Sequence, residues 1–203
     1  MTHRFFLLAL AALLAAPVAL AQDHGERSGD GMHDGDHDGM HYVVHGRAND
    51  EARVSPNALT GQTIGTTNVV VAYGRPSVNG RTVFGDLVPY GQVWRTGANE
   101  ATAVHLSEDL HVEGERLPAG TYALFTIPQD DGAWTVVFNR AAEQWGAFNH
   151  DPSQDALRVE VTPEMGESVE QMSFWFEDVD DDSATMVLAW ADVMLPIQLE
   201  VAD

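Results

Sequence analysis

From about residue 55 onward, apolar and polar positions alternate in short bursts. Trp134, Val136 and Phe138 alternate with Thr135 and Asn139. Leu157-Val159-Val161, Met172-Phe174-Phe176, Ala184-Met186-Leu188-Trp190 and Leu195-Ile197-Leu199-Val201 repeat the pattern. A period of two is that of a strand with one buried face. Asn68–Tyr73 is a nearly continuous β-branched run, and Thr121–Ile127 is apolar on both faces, as a central strand is. Ala101–Leu106 and Leu110–Glu113 read as the arms of a hairpin around Ser107-Glu108-Asp109. The helical candidate is a turn or two near Ala141–Trp145. Eight or more short strands with no long amphipathic helix predict an all-β chain, an antiparallel β-sandwich of jelly-roll-like character. Asp178–Asp182, between two strong strands, reads as a solvated hairpin turn, because it lacks the glycine and closing glutamate of an EF-hand loop.

The first 54 residues have a different texture. Arg4, the apolar run Phe5–Ala16 and the small residues of Ala19-Leu20-Ala21 predict a cleavable export signal over 1–21, with cleavage after Ala21. The run is short for a membrane-spanning helix, so the expected location is periplasmic or secreted, with no membrane segment after cleavage. Residues 22–54 are rich in Gly, Asp and His with almost nothing to bury, and are predicted to be a disordered arm. The folded β-sandwich domain is then 55–203, with one long loop.

Composition narrows the chemistry. The chain has no cysteine and no lysine; all ten basic residues are arginine, against 31 acids. Disulfides, thiol nucleophiles, Schiff bases and a phosphate-loop lysine are therefore excluded. A net charge of −21 repels phosphate backbones and argues against nucleic acid as a partner. Residues 55–203 hold 23 acids and 6 arginines, interleaved with apolar positions along the strands. Such a surface matches halophilic proteins, where concentrated salt screens the self-repulsion, with ordinary acidic solubility as the alternative.

One stretch is not strand-like. Tyr73-Gly74-Arg75-Pro76-Ser77-Val78-Asn79-Gly80-Arg81 leads into Val83-Phe84-Gly85-Asp86-Leu87-Val88-Pro89-Tyr90-Gly91 and then Val93-Trp94-Arg95-Thr96-Gly97-Ala98-Asn99-Glu100-Ala101-Thr102. Together with Leu117-Pro118-Ala119-Gly120-Thr121-Tyr122 and Gln144-Trp145-Gly146-Ala147, this string closely resembles the domain of unknown function 2911 family. The resemblance covers about Ser55 to the C-terminus. It implies an exported bacterial β-rich domain and no established activity, substrate, cofactor or catalytic residue.

The same loop is the candidate folded site. Residues 75–99 carry Arg75, Arg81 and Arg95 with a single acid, Asp86, a local excess of positive charge inside a domain of net −17. Ser77, Asn79, Tyr90, Trp94 and Asn99 lie in the loop, and Trp145 approaches from another. Arginine forks match carboxylates and phosphates, while Trp and Tyr faces suit sugars or apolar ligands. Alternatively the arginines pair with carboxylates such as Glu100 and pin the loop down, as a connection of this length requires. Arg95, beside the strand near Glu100, reads as the brace and Arg75 as the open group.

Two other sets of side chains carry chemistry. In the arm, His33, His37, His41 and His45 are spaced four apart, with His24 before them and aspartates between. Imidazoles in a flexible tract suit Cu, Ni or Zn. His105 and His111 flank the predicted hairpin turn and would face each other across it. No nucleophile-elbow, HExxH or glycine-rich phosphate motif is present, so an enzyme is the weaker expectation. The leading expectation is an exported non-catalytic β-sandwich module that binds a small or glycan-like ligand or an envelope partner. A metal-binding envelope protein acting through the arm, and a carbohydrate-active hydrolase with a carboxylate pair, are the alternatives.

Overall fold

The alternating segments build two antiparallel sheets in the computed structural model, which describes residues 52–202. In chain order the strands are β1 (Asn57–Ile64), β2 (Thr67–Gly74), β3 (Thr102–Leu106), β4 (Leu110–Val112), β5 (Glu115–Leu117), β6 (Gly120–Ile127), β7 (Trp134–Asn139), β8 (Asp155–Val161), β9 (Glu164–Glu177) and β10 (Ser183–Val201). One sheet has six strands in the order β1-β2-β3-β6-β7-β8, and the other four, β5-β4-β10-β9. The inward rows of both sheets meet in a single core: Val69, Val71, Val104, Leu124, Val136 and Phe138 from one, Leu110, Met172, Phe174, Met186, Leu195 and Ile197 from the other. This is a sandwich, as the alternation predicted.

The central strand β6 is buried on both faces, because Phe125 and Ala123 turn outward into a second cluster with Ala101 and Val137, covered by Val93 and Ala147. The acidic run 178–182 links the paired strands β9 and β10, as a hairpin turn should.

Three expectations are corrected. β3 and β4 are not a hairpin: β3 belongs to the six-stranded sheet and β4 to the four-stranded one, so Ser107–Asp109 carries the chain from one layer to the other. His105 is consequently buried in β3 with its Nδ1 2.9 Å from Thr121 Oγ1, whereas His111 on β4 lies in register with Glu200 and Arg116. The two imidazoles do not face each other. Second, the two expected strands 184–190 and 195–201 are halves of one 19-residue strand, β10. Ala191 has φ +53 and sits between two register shifts, so the row facing the main core passes from even to odd numbers there. Third, Ala141–Trp145 is not helical; the helical turn is a short 3-10 segment, Pro152–Gln154. The segment leading into β8 is held by Asp155, which accepts from Asn139 (2.7 Å) and Arg158 (2.8 Å) and lies 3.0 Å from His150 Nε2. Burial acts to raise its carboxyl pKa, and these partners more than offset that, leaving it below the usual carboxylate value.

Candidate functional site: a cavity under the long loop

The connection between β2 and β3 closes one end of the sandwich by binding to both sheets. Pro76–Val78 run beside β9, with Val78 N donating to Glu170 O (2.8 Å) and Met172 N to Pro76 O (3.0 Å). These bonds cover an otherwise open sheet edge. At the other end Trp94 exchanges two backbone hydrogen bonds with Thr126 of β6, at 2.8 and 3.0 Å. In between, Val83, Val88 and Trp94 are buried, and Phe84 packs edge-on against Trp134 (4.8 Å) and Trp94 (5.9 Å). The Trp94 ring stacks on Trp190 of β10 at 5.7 Å and 20°. The loop is thus a packed element with its own aromatic floor.

Above that floor is a cavity of about 250 Å³. Its wall comes from the loop (Pro76, Ser77, Asn79, Arg81, Leu87, Val88, Trp94, Arg95, Gly97, Ala98), from Val54 and Ser55 where the chain enters the domain, and from Trp190. Among the described residues two arginines line it and no acid does. The guanidinium of Arg95 is half-buried, its Nε is fully enclosed, and it makes no hydrogen bond or ion pair among the described residues. Desolvation lowers its pKa from the ordinary arginine value, yet arginine stays charged at neutral pH. A second enclosed donor without a partner, Trp190 Nε1, belongs to the same wall. Thr96, next to Arg95, is fully buried with φ +51, a region that costs a β-branched residue of the order of 1–3 kcal/mol. Its hydroxyl lies 3.3 Å from both Trp94 O and Thr126 Oγ1, and its carbonyl accepts from Thr102 Oγ1 at 2.6 Å. Strain is held here by surrounding bonds, directly beside the uncompensated charge.

Of the residues singled out by sequence, Ser77, Asn79, Arg81, Trp94 and Arg95 are brought together in this wall. Arg81 is exposed and clamped, donating from Nε to Val78 O (3.0 Å) and from Nη2 to Ser77 O. Tyr90 lies in an adjoining, more open cavity of about 550 Å³, which Arg81 also lines. The other three sit elsewhere. Arg75 donates from Nε to Met172 O (3.0 Å) and from Nη2 to Ser173 Oγ (2.7 Å), stapling the loop to β9. Asn99, at φ +65, uses its amide on Ser55 O (3.1 Å). Trp145 is exposed on the surface and bridges to Glu100 through its backbone.

The bracing bonds expected of Arg95 are therefore made by Arg75. Glu100, the acid expected to hold a loop arginine, is instead forked by Arg53, from Nη1 to Oε2 (2.5 Å) and from Nη2 to Oε1 (2.8 Å). Sequence reasoning missed Trp190, which reads as one more core residue of an alternating strand, and Val54 and Ser55, which adjoin a low-complexity stretch. The signal segment and His24, His33, His37, His41 and His45 lie outside the described residues. Among the described residues no cluster of three metal-ligating side chains occurs.

Comparison with curated proteins and with solved structures finds no match. A family model does match. The model described as Protein of unknown function (DUF2911) covers residues 55–199, all ten strands but for the last two residues of β10, together with the long loop, and the chain belongs to that family.

Proposed function

We propose that this protein is an exported, non-catalytic binding module whose site is the cavity beside Arg95, and that its ligand is a small anion of about one sugar ring in size. One observation carries the reading: among the described residues a half-buried guanidinium with no acceptor lines a cavity without acids, in a domain where acids outnumber arginines 23 to 6. An enclosed charge with no partner is costly, and an arriving carboxylate or phosphate removes that cost. About 250 Å³ lies just below the range of roughly 300–1,000 Å³ that accommodates drug-sized molecules. Its wall is mixed, with Leu87, Val88 and Trp94 apolar and Ser55, Ser77 and Asn79 able to meet hydroxyl groups. The hydrolase alternative needs two facing carboxylates; the smaller cavity is lined by none and its neighbour by Asp192 alone.

The test is a calorimetric titration with glucuronate and glucose, followed also through tryptophan emission, since Trp94 and Trp190 form the floor. Glucuronate is expected to bind and glucose to bind at least about tenfold more weakly, the worth of one charge-assisted pair. Arg95→Met is expected to abolish the difference while the protein stays folded. Equal binding of the two sugars, or of glucuronate to wild type and Arg95→Met, would sink the reading.

A further inference from the structure

Arg81 lines both cavities, so the two share a wall. We infer that together they form one groove for an acidic oligosaccharide, with an acid-bearing sugar against Arg95, Arg81 between, and a neutral sugar against Tyr90. This deepens the proposed function and rests on the Arg95 cavity being an anion site.

Arg81 is preset for a central place. Its guanidinium is held by the carbonyls of Ser77 and Val78, so little side-chain freedom is lost when a ligand meets it. Beyond it the second cavity, about 550 Å³, has room for a further ring. Tyr90 lines that part and is over a third exposed. Its ring lies against Gly85, where an added Cβ would come within 2.8 Å of it. Gly85 also has φ +89, so both the turn and the close approach require glycine there. A tyrosine face fixed in this way presents an apolar surface with a polar tip, which suits the two-sided surface of a sugar.

Charge decides which ring carries the acid. Among the described residues the Arg95 end has no carboxylate in its wall, whereas the Tyr90 end has Asp192, which repels a second anion. A peptide fits less well. An acidic peptide would gain most from pairing with an open strand edge, and the stretch of β9 nearest the Arg95 cavity, Glu170–Met172, is already paired with Pro76–Val78.

Calorimetry on the folded protein with four probes tests this: glucuronate, a disaccharide of glucuronate and a neutral sugar, a disaccharide of two uronates, and a short poly-glutamate peptide. The mixed disaccharide is expected to bind about tenfold more tightly than glucuronate, the worth of one aromatic contact. Tyr90→Ala should bring the mixed disaccharide down to the affinity of the single acid. Asp192→Asn should selectively improve the two-uronate probe. If glucuronate binds but the second sugar adds nothing, the groove is overturned while the Arg95 site stands. Poly-glutamate binding as tightly as the mixed disaccharide overturns the sugar assignment. If no acidic probe binds at all, the Arg95 reading fails with it.

Discussion

Arg75 and Arg95 belong to the same loop and have the same chemistry, yet among the described residues only Arg75 finds acceptors for its guanidinium. Arg75 spends its donors on Met172 O and Ser173 Oγ, so truncation removes two charge-assisted bonds and strands a carbonyl at the loop seam. Arg75→Ala is expected to cost about 2 kcal/mol in chemical denaturation. Arg95 has no such bonds to lose. Arg95→Met keeps the apolar stem and removes a poorly solvated charge, so stability should stay within about 1 kcal/mol of wild type or rise. The reverse ranking would mean that Arg95 is the brace. Sequence could not rank them, because the deciding neighbours are remote. Arg75's partners lie 97 and 98 residues downstream, and Glu100, the obvious acid for Arg95, is taken by an arginine 47 residues upstream. The presence of a cationic, aromatic loop was legible; which cation remained open was not.

At the scale of elements, the loop depends on the seam where β2 ends. Gly74 O accepts from Ala98 N at 3.2 Å, and a Cβ on Gly74 would lie only 2.3 Å from Ala98 O. That neighbour is backbone and cannot rotate away. Gly74→Ala is therefore expected to push the 95–99 segment off its seat, costing about 2 kcal/mol or more and lowering affinity for any ligand of the Arg95 cavity. Unchanged melting and unchanged ligand binding would show that the seam is soft. The same scale separates what could be read from what could not. Strands with an apolar inward row, such as β7, β8 and β9, were visible through their period of two. β1 was not, because its half-buried row is Ala58, Thr60 and Gln62 while Leu59 points outward, inverting the usual pattern on an edge strand. β10 looked like two strands because the left-handed residue Ala191 shifts the phase by one. The link between β3 and β4 looked like a hairpin turn because two alternating segments joined by three polar residues suit both a turn within a sheet and a crossing between sheets.

Over the whole molecule the balance of charge becomes the dominant unspent energy. Among the described residues Arg53, Arg116 and Arg158 pair with Glu100, Asp109 and Asp155. Arg75, Arg81 and Arg140 are occupied by carbonyls or a hydroxyl, and Arg95 by nothing. With 23 acids against 6 arginines in residues 55–203, most carboxylates have no arginine left to pair with, and the excess negative charge repels itself. Salt weakens that repulsion, since the screening length falls from about 10 Å at 0.1 M to about 3 Å at 1 M. Sodium chloride raised over this range is expected to add about 1–2 kcal/mol, or about 2–8 °C in Tm. Salting-out also stabilises folded proteins, so the slope alone does not identify the cause. Glu167→Gln, Asp178→Asn and Asp181→Asn remove three exposed acids from β9 and the turn after it, none of whose carboxylates holds a hydrogen bond among the described residues. If repulsion is the origin, the triple variant melts higher than wild type in low salt, and the two converge as salt rises. Parallel curves with no convergence would assign the salt response to salting-out, leaving the acidic surface as a matter of solubility.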